Sequence, residues 1–301
     1  MSGRHARSGF SRADVVAVLV TILVFLVILL AVRPLHRLAR VKSAQALCKR
    51  NLAIIGKSIS VYASDYDGVL PTAGGRGTAW GPGLNDWRAE SRDGAFGLDP
   101  NGAGGQATIS SSLYLLVRYA GVLPERFVCE GDKGTSGFWP QKYGITAKEL
   151  TAIWDFGPDP SKHCSYAYHI PYGQHALTTS SEPGLAVAAD RNPWIDGSRQ
   201  QAGDFALFIP DIGLFNGTSK TALSGNARAH SRYEGYNGQF VLFLDGHVEF
   251  AQRPFCAMWD DNIYTSWDDD DKARGVPPKP YESKPAHEFD SLLVNDPPLG
   301  R

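Results

Sequence analysis

From Val15 to Val32 the chain reads VVAVLVTILVFLVILLAV, eighteen residues in which Thr21 is the only polar one. A helix of that length nearly crosses a bilayer core of roughly 30 Å. A helix that is apolar all round has no place so near the terminus of a soluble domain. The run therefore restricts this part of the chain to a membrane-inserted helix or an export signal. A cleaved secretory signal fits poorly, because the run is long for such a segment and Val32-Arg33-Pro34-Leu35 offers no small-x-small cleavage site. A generic signal anchor is the competing reading. Arg4, Arg7 and Arg12 precede the run and Arg33, Arg37, Arg40 and Lys42 come after it, so basic residues alone do not set the orientation.

The chain's 301 residues suffice for one large domain or two modest ones with a proper core. A net charge of -1 gives no support for nucleic acid as a partner, since phosphate binding needs a basic surface. With 32 glycines and 19 prolines, the part outside the apolar run should be rich in loops and turns. The four cysteines, Cys48, Cys129, Cys164 and Cys256, are widely spaced, and no C-x-x-C pair occurs. That spacing counts against a structural zinc site and leaves disulfides open.

The stretch 39–66 is polar with an apolar stripe at Cys48, Leu52, Ile55, Ile59 and Tyr62, the spacing of one helix face. Asp67-Gly68 and Pro71 mark its end. Residues 72–107 read as a long Gly-rich loop or insertion, and 110–120 as a short helix capped by its own serines and closed by Gly121. Strands are expected over 165–170, 185–189, 205–209, 239–244 and 247–251. The last two are joined by Asp245-Gly246, read as a two-residue hairpin loop with positive φ at both positions. Val248 and Phe250 should then face inward, and His247 and Glu249 outward. From Pro254 onward the aspartates 268–271 and several prolines read as an acidic, extended, partly disordered tail. Consecutive aspartates do not form a spaced calcium loop. The expected fold is α+β: a long N-terminal helix, kinked at Pro34, packed on an antiparallel sheet with long loops. The segments are a basic leader 1–9, a helix 10–70 containing the span 15–32, a domain 71–253 and the tail 254–301.

His230, Asp245 and His247, with His163, His169 or His175, are the residues from which a metal site or enzyme centre could be built. Yet Asp is favoured at a tight turn for backbone reasons, and no HExxH, GxSxG, GxxxxGK[ST] or GxGxxG motif occurs. A structural role is preferred for these residues, and neither catalysis nor a cofactor is expected. Asp190-Arg191-Asn192 ends a strand and could line a pocket. Cys48 reads as a small buried residue. Cys129 and Cys164 flank a Gly- and Trp-containing loop that a disulfide could close, with Cys48 to Cys129 as the other pairing. Trp80, Trp87, Trp139, Trp154 and Trp194 offer an alternative reading, a carbohydrate-stacking module.

Two groups of residues carry a family resemblance. Gly9-Phe10-Ser11-Arg12-Ala13-Asp14, before the apolar run, resembles the processing signal of type IV pilins and pseudopilins. The resemblance implies that a prepilin peptidase cuts between Gly9 and Phe10 and methylates Phe10. It makes Asp14 the acidic fifth mature residue, one methylene shorter than the usual Glu. Arg12 stands where the family is usually apolar. A carboxylate in an inserted helix needs a partner, and the Phe10 ammonium of a neighbouring subunit would supply one. The run from Cys48 to Gly56, with Tyr62, Asp65, Gly68 and Leu70-Pro71, is similar to the start of a large pilin-like family abundant in planctomycete-type bacteria. Phe127-Val128-Cys129 and Cys164-Ser165-Tyr166-Ala167-Tyr168 look like its middle segments, with Glu130 where Pro is usual. His230 and Asp245-Gly246-His247-Val248 resemble its C-terminal His-spacer-Asp-Gly motif, with a longer spacer. The resemblance implies a single-pass protein of the cytoplasmic membrane, N-terminus inside and C-terminal domain exported. Its partners would be the peptidase and other pilin-like subunits of a secretion or pilus-like machine.

Overall fold

The computed structural model of the chain describes residues 11–195, 226–227, 229–230, 238–268 and 275–299. Gly9, Phe10, the strand expected over 205–209 and aspartates 269–271 lie outside the described residues. The chain divides into two units, residues 1–43 and 44–301. The first helix, α1 (Arg12–Asp65), is helical throughout, including at Pro34.

In the first unit α1 begins with a reciprocal cap. Ser11 N–H donates to the Asp14 carboxylate at 2.9 Å, and Asp14 N–H donates to the Ser11 hydroxyl at 3.2 Å. This satisfies two of the donors a helix start leaves open and places a negative charge at the positive end of the dipole. Thr21 donates its hydroxyl to the Ala17 carbonyl at 2.8 Å, so the single hydroxyl of the run is paired within the helix. The large apolar side chains from Val15 to Leu30 are all exposed, between 41% at Leu29 and 66% at Leu30. Residues 12–30, with mean hydropathy 3.1, form a helix long and apolar enough to cross a membrane.

The second unit is built on a five-stranded antiparallel sheet. Its strands are β3 (Tyr166–His169), β4 (Ala186–Asp190), β5 (Gln239–Phe243), β6 (Val248–Ala251) and β7 (Leu293–Val294). Their order is β6-β5-β4-β3-β7. Among the described residues the unit also holds a separate parallel pair, β1 (Ala79–Trp80) and β2 (Gln106–Ala107), two α-helices, α2 (Arg92–Phe96) and α3 (Ile109–Ala120), and short 3-10 turns. One face of the sheet presents Tyr166, Tyr168, Phe240, Leu242 and Val294 to a core shared with Leu52, Ile55 and Ile59 of α1 and Leu113 and Leu116 of α3. The other face presents Ala167, Val241, Phe243 and Leu293 to Ile263 and Tyr264. Both faces are covered, which is why β4 is buried along its whole length. The α1 stripe from Cys48 to Tyr62 is buried as its spacing requires. A Cβ at Gly56 would stand 2.6 Å from Leu242 Cδ1, so the missing side chain lets the helix lie close on β5.

Several local expectations are corrected. The β5–β6 turn is a three-residue loop, Leu244-Asp245-Gly246. Gly246 N–H donates to Phe243 O at 2.9 Å, Phe243 N–H donates to His247 O at 3.0 Å, and only Gly246 has positive φ, at 88°. The longer loop frees Leu244 and Asp245 N–H to donate to Leu185 and Pro183 carbonyls, at 3.0 and 3.3 Å, tying the turn to β4. Inward Val248 and Phe250 and outward His247 and Glu249 are as expected. Thr108, and not a serine, caps α3, while Ser110, Ser111 and Ser112 are buried. The glycine-rich stretch is no mere loop, since Trp80, Phe96 and Ala107 enter the core. The C-terminal segment is not loose where it is described. β7 pairs with β3, and the Asp296 carboxylate accepts from Ile109 N–H at 2.9 Å, Ser110 N–H at 2.8 Å and Trp80 Nε1 at 3.0 Å. An acidic residue from the far end of the chain thus closes the positive end of α3.

Two of these contacts can be tested by unfolding. Gly56→Val should lower unfolding stability by about 1–3 kcal/mol, read from urea midpoints, because the added branch must displace Leu242. Asp155 is buried beside Asp296, and burial raises its pKa to about 8 despite donation from Thr108, Phe156 N–H and Ser110. A folded pKa above the unfolded one means the native state holds the extra proton, so this contribution is present below pH 4 and is lost as pH rises towards 8. Asp155→Asn should flatten the fall in urea midpoint between pH 5 and pH 8 relative to wild type.

Candidate functional site

Four side chains far apart in sequence meet inside the second unit. Cys48 comes from α1, Cys129 from the segment after a short turn at Pro124–Phe127, Asp190 from the end of β4, and His230 from the segment before β5. All four are buried, and their ligating atoms lie within 4.8 Å of one another. Cys48 Sγ donates to Asp190 Oδ1 at 3.2 Å. His230 Nε2 is 3.4 Å from Asp190 Oδ2 and 3.7 Å from Cys129 Sγ.

Local structure explains the convergence. In β4 the register with β5 shifts between Ala186 and Ala188. Ala186 and Ala189 pack on one face of the sheet, while Val187 and Ala188 pack on the other. This bulge reverses the in–out parity of the rest of the strand, so Asp190 shares the α1 face with Ala188. There it lies opposite Tyr166 on β3, whose hydroxyl is 3.5 Å from Cys48 Sγ. Asp190 Oδ2 also accepts Phe240 N–H at 2.8 Å. Asn51, one turn beyond Cys48, donates Nδ2 to the Val128 carbonyl at 3.1 Å and so pins the backbone beside Cys129 to α1. The His230 ring stands edge-on to Phe240, with centroids 5.3 Å apart. A Cβ at Gly131 would stand 2.3 Å from Ala229 O and 3.1 Å from His230 Nδ1, so only glycine lets the Cys129 segment approach His230 this closely.

The electrostatics arise from burial and proximity. Burial raises the Asp190 pKa, against the His230 charge and the Phe240 N–H. Burial alone would lower His230, but Asp190 and Cys129 outweigh it and hold the imidazole at about 9. The thiols diverge: burial pushes Cys48 well up, whereas Cys129, hydrogen-bonded by Cys48 and by His230, falls to about 7. Cys129 is thus the first of the two to ionise, facing an imidazolium. The group offers two sulfurs, one nitrogen and carboxylate oxygens in a volume closed to solvent. It can bind an ion or join two thiols.

The anticipated constellation divides. His230 enters this cluster, while Asp245 and His247 pair with each other at 2.5 Å on the exposed turn, His247 stacking on Phe243. His163 faces the Ser136 carbonyl, His169 is buried between the Ile170 and Asp290 carbonyls, and His175 lies beside His287. The pairing of Cys129 with Cys164 does not form: all four thiols are free, and Cys164 donates to the Tyr166 carbonyl at 3.5 Å. Of the Asp190-Arg191-Asn192 triplet, Arg191 donates to the Ser161 and Asp296 carbonyls and Asn192 to the Tyr264 and Leu293 carbonyls, roles that tie loops together. Trp80, Trp154 and Trp194 are buried and Trp87 is partly so, which leaves Trp139 alone of the five exposed. They make no stacking platform. Sequence reasoning named His230 as a candidate ligand, Cys48 with Cys129 as a possible pair and Asp190 as possible pocket lining, but did not bring the four together.

His230 and His247 should therefore behave differently. His230→Ala leaves Asp190 buried without its cation and should cost about 3–5 kcal/mol, whereas His247→Ala on the exposed turn should stay within about 0.5 kcal/mol. Urea unfolding of both variants measures the contrast. No protein-family model, curated protein or solved structure matches this chain.

Proposed function

We propose that the protein is a pilin-like, membrane-anchored subunit, cut by a prepilin peptidase between Gly9 and Phe10 and exported with its C-terminal domain outside the cytoplasmic membrane. The observation that carries this reading is α1 itself. Its first part is apolar and exposed on all sides directly after the Gly-Phe-x-x-x-Asp signal, and its later part carries the one-sided stripe that packs on an antiparallel sheet. A helix that serves lipid or neighbouring helices at one end and its own domain at the other suits a subunit that assembles by helix packing. Assembly, with other pilin-like subunits of a secretion or pilus-like system, is the activity; substrate turnover is not.

The Ser11–Asp14 cap refines the role of Asp14. With the leader removed, the same carboxylate that accepts the Ser11 N–H stands four residues after the new N-terminal Phe10 in sequence, and it could neutralise that ammonium or a neighbour's. Arg12 offers a competing partner at the membrane surface.

Intact mass and N-terminal sequencing of the protein from its own membrane test the reading. A chain beginning at N-methylated Phe10 is expected, and Gly9→Val should leave the leader attached. A wild-type chain that retains residues 1–9 would reduce α1 to an ordinary signal anchor and overturn the proposal.

A further inference from the structure

We infer that Cys48, Cys129, Asp190 and His230 form a structural metal site that takes a single divalent transition ion, zinc by its donor set. Donors 2.0–2.3 Å from a tetrahedral zinc stand roughly 3.3–3.8 Å from one another. The separations here are 3.2 Å for Cys48 Sγ to Asp190 Oδ1, 3.4 Å for His230 Nε2 to Asp190 Oδ2 and 3.7 Å for Cys129 Sγ to His230 Nε2. All four ligating atoms lie within 4.8 Å of one another. Three of the six separations are thus close to the edge of a zinc tetrahedron, the two to Asp190 being made through its two different carboxylate oxygens. Two soft sulfurs with an imidazole and a carboxylate suit zinc, and disfavour calcium and magnesium, which take oxygen ligands.

The surroundings match a metal site in two further respects. The ligands are held from behind: Phe240 N–H on Asp190 Oδ2 at 2.8 Å, and the Tyr166 hydroxyl 3.5 Å from Cys48 Sγ. With both thiols deprotonated and Asp190 ionised, a divalent ion leaves one excess negative charge, and these two donors point at it. The group is also closed. Cys48, Cys129 and Asp190 are 0% exposed and His230 is 4%, so no position is open for a substrate. A closed four-ligand centre is structural, whereas a catalytic one keeps a free position. It would fasten α1, the Cys129 segment, β4 and the segment before β5 at one point, in a domain whose cysteines form no disulfide. Binding displaces the two thiol protons and the imidazolium proton to solvent, with no change of oxidation state. The inference does not depend on cleavage after Gly9 or on assembly.

The competing fate of the same atoms is oxidation of Cys48 and Cys129 to a disulfide. The full-length chain, extracted from its membrane in detergent without chelator, separates the two. Elemental analysis should find one zinc per chain, and intact mass should show both thiols retained. After exchange, cobalt should give the strong visible absorption of thiolate-ligated tetrahedral ions. Tyr166→Phe, which keeps the ring, should weaken the ion roughly tenfold in competition with a chelator. His230→Cys should keep a cobalt spectrum, with its bands shifted. Should His230→Ala fail to fold, the wild-type spectrum still decides. Zinc far below one equivalent together with no cobalt–thiolate band would overturn the site, as would a mass lacking two hydrogens with Cys48 joined to Cys129. Neither result bears on the N-terminal sequence that tests the pilin-like reading.

Discussion

A carboxylate at the centre of a folded domain must be supplied with partners, and the second unit is organised around supplying them to Asp190. Its side chain is fully buried and touches groups from α1, β5 and the segment before β5, while its main-chain carbonyl accepts the Tyr264 hydroxyl from the opposite face at 2.8 Å. Each contact joins a different part of the chain to the end of β4. Leaving the carboxylate unpaired would cost several kcal/mol, which is comparable with the whole stability of a typical domain. The bulge in β4, the close approach at Gly131 and the Asn51 bond to Val128 all read as conditions for this one meeting.

The C-terminal segment obeys the same logic. The sheet has two apolar faces, and α1 and α3 pack on one of them. Ile263 and Tyr264 close the other, and β7 then extends the sheet beside β3. The chain goes on to deliver Asp296 to the start of α3, where backbone N–H groups lack partners within the helix. An acidic, proline-rich composition does not keep this segment loose where it is described: Asp261, Asp290 and Asp296 are buried and accept backbone N–H groups of Ser291, Trp267 and Ile109.

The first unit is governed by the opposite requirement. Along residues 15–30 the backbone is paired within the helix and the Thr21 hydroxyl with Ala17, so nothing polar remains to be met and the large apolar side chains remain exposed. Such a surface is stable in lipid or against like helices, not in water. The Ser11–Asp14 cap closes the start of the helix at low cost in either setting.

Read by itself, the sequence determined the features that depend on periodicity and local chemistry. These are the apolar run, the Cys48-to-Tyr62 stripe, the strands expected over 165–170, 185–189, 239–244 and 247–251, each within one residue of its observed ends, the outward His247, and the mixed helix-and-sheet class with an antiparallel sheet. Each depends on spacing within a dozen or so residues, the range over which helix and strand periods are legible. It determined the turn at Asp245-Gly246 but not its form, because that form is set by bonds to Leu185 and Pro183, outside the hairpin. Only the tertiary structure decided which cysteine meets which, that His230 is buried, and that Asp190 turns towards α1. Those outcomes hang on one extra residue in β4 and on contacts spanning 142 positions between Cys48 and Asp190. A single-residue change of parity has no local signature, so the site stayed invisible until the strands were paired.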